Sequence, residues 1–196
     1  MLKLTGIRPT INGKEHIDRN QSYVIIANHQ SHFDAPAIVL TLGIQLRWIA
    51  KKELLKIPLF GYALSAARNI FIDRSDKEKA IKSIQDGVKR LPPATSILFF
   101  AEGTRSPDGM IHKFKKGGFI TAINHAFPIL PVTVNGSSNI LPKKSLVFNS
   151  GPIEVVVGHP ISTAGYTLDQ LEELIQKTQD IIVSNFNPNY PEKGGN

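Results

Sequence analysis

Tyr23-Val24-Ile25-Ile26-Ala27-Asn28-His29-Gln30-Ser31-His32-Phe33-Asp34 begins as five apolar residues and ends as a polar loop. A short β-rich run without polar interruption reads as a strand buried on both faces. The helical pattern Ala35–Leu42 follows at once. Strand, loop, helix is the repeating unit of an α/β sheet, and loops at strand ends are where chemistry is mounted. His29 and Asp34 lie in that loop, separated by four residues.

The same alternation runs outward from this unit. Further strands are expected at Arg47–Ala50, Asn69–Ile72, Ser96–Ala101, Ile129–Asn135 and Ile153–Gly158. Helices are expected at Pro58–Ala67, Asp76–Leu91, Gly117–His125 and Leu168–Ser184. Ala80, Ile81, Ile84, Val88 and Leu91 mark the inner face of the second of these, and Ser75 with Glu78 fits a capping box at its start. Thr167 with Gln170 fits another before the last helix. The pattern predicts a mixed, largely parallel sheet with helices on both faces, antiparallel in part after residue 127 where connections shorten. Residues 1–186 read as one domain, and the Asn-, Pro- and Gly-rich stretch from Asn187 to Asn196 as a flexible tail.

Composition narrows the chemistry. The chain has no cysteine, which excludes disulfides, thiolate metal sites and a cysteine nucleophile. It has no Gly-x-Ser-x-Gly elbow, Walker loop or dinucleotide fingerprint. No window approaches the roughly 18 apolar residues of a membrane span. The net charge of +7 favours an anionic partner, whether nucleic acid, anionic lipid or a phosphorylated small molecule. Nucleic acid fits least, because the lysines are scattered and no basic stripe interleaved with aromatics occurs.

His29 has the residue type of a base working near neutral pH, and Asp34 that of a carboxylate fixing its tautomer. A second reading makes Asp34 the cap of the helix starting at Ala35, with Pro36 in its first turn. A third uses His29, His32 and Asp34 as metal ligands. Another strand runs into Glu102-Gly103-Thr104-Arg105-Ser106. There Gly103 permits close backbone approach and Arg105 offers a fork suited to phosphate. Glu102 would repel an anion, so it is expected to orient Arg105 or pin the loop. Arg74, after Asn69–Ile72, is a candidate second phosphate contact, and Lys113-Phe114-Lys115-Lys116-Gly117-Gly118 a basic approach to a helix start.

Four ordered blocks of this chain resemble those of the glycerolipid acyltransferase family, which includes the 1-acyl-glycerol-3-phosphate acyltransferases. Asn28-His29-Gln30-Ser31-His32-Phe33-Asp34 is similar to the His-x4-Asp block and Ile70-Phe71-Ile72-Asp73-Arg74 to the second. Phe100-Ala101-Glu102-Gly103-Thr104-Arg105-Ser106 is similar to the third and Ile129-Leu130-Pro131-Val132 to the fourth. The likeness spans roughly residues 13 to 165. Arg68-Asn69 stands where the second block often has glycine, and Ala101 where the third often has proline. Members commonly carry an apolar N-terminal segment, whereas this chain begins almost at its first strand.

The resemblance implies acyl transfer from acyl-CoA or acyl carrier protein to the sn-2 hydroxyl of 1-acyl-glycerol-3-phosphate or a related lyso-lipid, without a cofactor. It implies catalytic roles for His29 and Asp34, and acceptor binding by Arg74, Glu102, Gly103, Thr104, Arg105 and Lys115. It further implies a cytoplasmic protein associated peripherally with the inner face of an anionic membrane, and no nucleic-acid partner. Leu54–Ala67, flanked by Lys51, Lys52 and Arg68, is expected to be an acyl groove, a bilayer-facing surface or an ordinary core helix. A metal-dependent hydrolase and a non-catalytic lipid-surface module are the rival classes.

Overall fold

The computed structural model describes residues 6–73, 75–141 and 149–191. Among these, seven strands form one sheet: β1 (Ile7–Asn12), β2 (Val24–Ala27), β3 (Gln45–Lys51), β4 (Ile70–Ile72), β5 (Thr95–Phe100), β6 (Ile129–Asn135) and β7 (Gly151–Val157). Their order is β1-β7-β6-β2-β5-β3-β4. Every pairing is parallel except β6 with β7, so the expected switch after residue 127 is present.

Alternation along the central strands builds two cores. Val24 and Ile26 of β2, with Ile97 and Phe99 of β5, face one layer of helices. That layer consists of α3 (Lys77–Lys89), α4 (Gly117–His125) and α6 (Leu171–Ser184). Ile25 and Ala27 of β2, with Leu98 of β5, face the other, where α1 (Asp34–Leu42) and the short α5 (Ser137–Ile140) pack. Each large side chain removed from water there contributes about 1.5–3 kcal/mol, the scale that holds the central strands rigid beneath the loops they carry. The remaining helix, α2 (Phe60–Ala66), follows a 3₁₀ turn at Lys52–Lys56.

Several local expectations change. β1 was not anticipated, because Pro9 and the polar residues Arg8, Thr10 and Asn12 disguise it. It is an edge strand, where a missing N–H is tolerated and one face meets water. α3 is capped by Asp76, whose carboxylate accepts from the Lys79 N–H at 3.0 Å, not by a Ser75–Glu78 box; the Ser75 hydroxyl turns to Asp73 instead. Ile81 is 42% exposed and leaves the inner face of α3 to Ile84 and Val88. The Thr167–Gln170 box is formed, although it opens a 3₁₀ turn that leads into α6. At the start of the polar tail, the Asn187 N–H donates to Asn135 Oδ1, and Tyr190 O accepts from Asn139 Nδ2.

Candidate active site

The polar loop after β2 and the loop after β5 leave the sheet side by side, because their strands are paired in register with Ala27 opposite Phe100. Their joining continues beyond the strands. The Ala101 N–H donates to Ala27 O, and the Ser106 N–H donates to His29 O at 2.7 Å. Asn28 secures the other flank. Its buried amide donates to Val134 O and accepts from the Val134 N–H at 2.7 Å, standing in for a peptide group where β2 departs from β6.

His29 is therefore held at every polar group of its main chain. Its C=O accepts from Ser106, and its N–H donates to Glu102 Oε1 at 2.9 Å. The second Glu102 oxygen accepts from the His112 N–H at 3.2 Å. Burial pushes the Glu102 carboxyl up from its ordinary range, and the two N–H donors oppose that rise. Of the two roles expected for Glu102, these bonds fit pinning of the loop.

The ring of His29 meets Asp34 at 2.7 Å between Nδ1 and Oδ2. A carboxylate oxygen accepts, so Nδ1 carries the hydrogen and Nε2 is left with its lone pair in the neutral ring. The same Oδ2 accepts the N–H groups of Gln30 at 2.7 Å and Ser31 at 2.9 Å. These donors precede the helix. Asp34 thus binds back onto its own loop and is not the helix cap; the residue before α1 is Phe33, which supplies no side-chain cap. Asp34 is fully buried while the His29 side chain remains 19% exposed.

Gly103 sits at φ +73°, a conformation that favours glycine, and its Cα faces the stem of Lys115. The Lys115 N–H donates to Ala101 O, which brings this lysine beside the Glu102–Arg105 loop. Thr104 is exposed at the loop tip and Arg105 is half-buried. The Arg105 guanidinium lies near enough to His32 to help burial hold that imidazole below its ordinary pKa, and the neighbouring His29 acts in the same direction. Arg74 lies outside the described residues. Lys116 is directed away toward α6, where its Nζ meets Glu172 at 2.5 Å. Among the described residues, no group of three His, Cys, Asp or Glu side chains is arranged to hold a metal ion, and the set His29, His32 and Asp34 is not supported.

Asn28, Ser106 and Phe100 carry parts that the sequence did not assign. Phe100 lies flat against the His29 ring. The signal for it is the strand register, which sets the last residue of β5 opposite Ala27, two residues before the histidine.

The segment after β3 also differs from one of its expectations. Only Gly61 and Leu64 of α2 are buried, so it is not an ordinary core helix. Leu59 is 87% and Tyr62 80% exposed, with Leu55, Ile57 and Phe60 exposed beside them. Lys51, Lys52, Lys56 and Arg68 of the same segment are exposed, Lys51 pairing with Glu53 at 3.4 Å and Lys52 with Asp73 at 3.7 Å. Gly61 lets α2 close onto the preceding turn, since a Cβ there would lie 2.4 Å from Leu55 O. No helix among the described residues is long and apolar enough to cross a membrane.

Residues 8–135 match the acyltransferase family model. The chain is 34% identical to a 1-acyl-sn-glycerol-3-phosphate acyltransferase of Limnanthes alba over 93% of its own length and 65% of that protein's. It is 33% identical to the human 1-acyl-sn-glycerol-3-phosphate acyltransferase alpha, again over 93% of this chain and 65% of the other. It thus spans slightly less than two thirds of these relatives. The crystal structure of the 1-acyl-sn-glycerophosphate (LPA) acyltransferase PlsC from Thermotoga maritima superposes with a TM-score of 0.78 at 26% identity, covering 98% of this chain and 75% of that one. With the family model matching most of its length and these relatives matching nearly all of it, the chain belongs to the glycerolipid acyltransferase family.

Proposed function

We propose that this protein transfers a fatty acyl group from acyl-CoA or acyl carrier protein to the sn-2 hydroxyl of 1-acyl-glycerol-3-phosphate, forming phosphatidate. The observation that carries this reading is the 2.7 Å bond from His29 Nδ1 to the buried Asp34, in a loop joined by backbone bonds to the one bearing Arg105. His29 Nε2 takes the proton of the acceptor hydroxyl as its oxygen attacks the thioester carbonyl. The new C–O bond forms, the C–S bond breaks and the thiolate leaves with the electron pair. Asp34 keeps the proton on Nδ1 and stabilises the imidazolium. A thiolate is a good leaving group, so a separate acid is unnecessary. Holding acceptor and thioester together against one base contributes on the order of 7–11 kcal/mol at ideal alignment.

Arg105, with Arg74 and Lys115, anchors the acceptor phosphate by charge-assisted bonds, while Gly103 and Thr104 shape the approach. Glu102 serves this site indirectly, through the main chain of His29. Arg105→Ala is expected to raise the acceptor KM by about tenfold or more with a smaller change in kcat, on the scale of about 1.5–3 kcal/mol for a bond to a charged group. Steady-state kinetics with varied lysophosphatidate checks this. An unchanged acceptor KM would remove Arg105 from the phosphate site.

The exposed residues Leu55, Ile57, Leu59, Phe60 and Tyr62, with Lys51, Lys52, Lys56 and Arg68 exposed in the same segment, are suited to the surface of an anionic bilayer at the cytoplasmic face. A contiguous apolar patch with a basic rim combines apolar burial with attraction to anionic headgroups. Changing Leu55, Leu59 and Phe60 together to serine is expected to abolish co-sedimentation with anionic vesicles while circular dichroism stays native. Vesicle binding equal to wild type would remove this surface from the account.

A further inference from the structure

We propose that Phe100 is a positioning residue whose ring face stabilises the protonated form of His29 during transfer; this rests on the reading of His29 as the base. The two ring centroids lie 3.9 Å apart and the planes are 16° from parallel. The rings are stacked face on face. Phe100 ends β5, which pairs with β2 in register, and His29, two residues past β2, is held by the main-chain bonds to Glu102 and Ser106, so both halves of the stack are fixed.

The other contacts of His29 act elsewhere. Glu102 and Ser106 hold its main chain, and Asp34 bonds to its edge at Nδ1. Phe100 covers a face. A phenyl face carries the negative pole of the ring quadrupole, so it attracts an imidazolium much more than a neutral imidazole. The positive charge exists only after His29 has taken the hydroxyl proton. The attraction is therefore stronger in the transition state than in the resting enzyme, which is the condition for it to raise kcat. Asp34 acts on the same charge in the ring plane and Phe100 acts perpendicular to it. Among the described residues, Glu102 and His32 also interact electrostatically with His29, and Arg105 does so with His32.

Three substitutions separate this role from plain packing. Phe100→Leu keeps the site filled and apolar but has no π face. Phe100→pentafluorophenylalanine keeps the ring shape and inverts its quadrupole, which guards against a leucine variant that fails to fold. Phe100→Tyr keeps the face and serves as the conservative control. The readouts are kcat and acceptor KM, together with an NMR titration of the His29 ring in the substrate-free protein, assigned by comparison with His29→Gln. The leucine and pentafluoro variants are expected to lose about five- to thirty-fold in kcat at constant KM. In both, the His29 ring should protonate only at lower pH than in wild type, and the tyrosine variant should stay within twofold of wild type. A His29 titration identical in all four proteins would overturn the proposal even if kcat fell. The titration needs no substrate, so a wild-type protein inactive toward every acyl thioester would reject the base assignment separately from the ring interaction.

Discussion

His29→Ala is expected to lower acyl transfer by about 10²- to 10⁴-fold, the range a positioned general base contributes, while lyso-lipid binding and folding persist. The expectation follows from how little of the fold depends on the imidazole. The main-chain N–H and C=O of residue 29, which join the β2 and β5 loops through Glu102 and Ser106, remain in the variant. The base, its bond to Asp34 and its stack on Phe100 are what the variant removes. Initial rates with labelled acyl thioester, beside acceptor binding measured by calorimetry, check both halves. Turnover equal to wild type would favour the rival reading, a lipid-surface module that kept the fold without the chemistry.

The second large effect is at Asp34. One carboxylate oxygen accepts three donors, the His29 ring and the N–H groups of Gln30 and Ser31, in a fully buried position. Asp34→Asn keeps the shape and an accepting oxygen but removes the charge, and it places an NH₂ donor where the buried Oδ1 has no hydrogen-bond partner. The variant is expected to lose about 2–3 kcal/mol of stability, the scale of hydrogen bonds to a charged group. It should also lose roughly 10²-fold or more in kcat, since the imidazolium is left without its counter-charge and the ring is free to change tautomer. Urea unfolding and kcat measured on the same preparation separate the two. Reduced stability with kcat intact would make Asp34 a loop staple only.

Much of this was legible in the sequence because the relevant signals are local. The apolar run at Tyr23–Ala27 and the His-x4-Asp spacing both act within one strand and one loop. The parallel sheet, its antiparallel turn at β7 and the ends of β6 and α4 follow from periodicity in the same way. What escaped depends on partners far along the chain. Asn28 bonds to Val134, 106 residues away, and an amide at a strand end carries no mark of that. Phe100 reads as one more core aromatic until the register of β5 on β2 sets it against His29. The cap of α3 turned on a competition between neighbouring residues, Ser75 and Asp76, either of which has the right chemistry. At α2, helical spacing alone could not distinguish an inward stripe from an outward one. The structure places Leu59 and Tyr62 in the open and Leu64 inside.

One reaction tests the role of His29 most directly. The protein is incubated with a radiolabelled acyl thioester and either 1-acyl-glycerol-3-phosphate or the matching unphosphorylated monoacylglycerol, beside His29→Ala. Label is expected in phosphatidate with wild type, with little transfer to the unphosphorylated acceptor and none above background with the variant. Label appearing only as free fatty acid, or equal transfer by wild type and His29→Ala, would contradict that expectation.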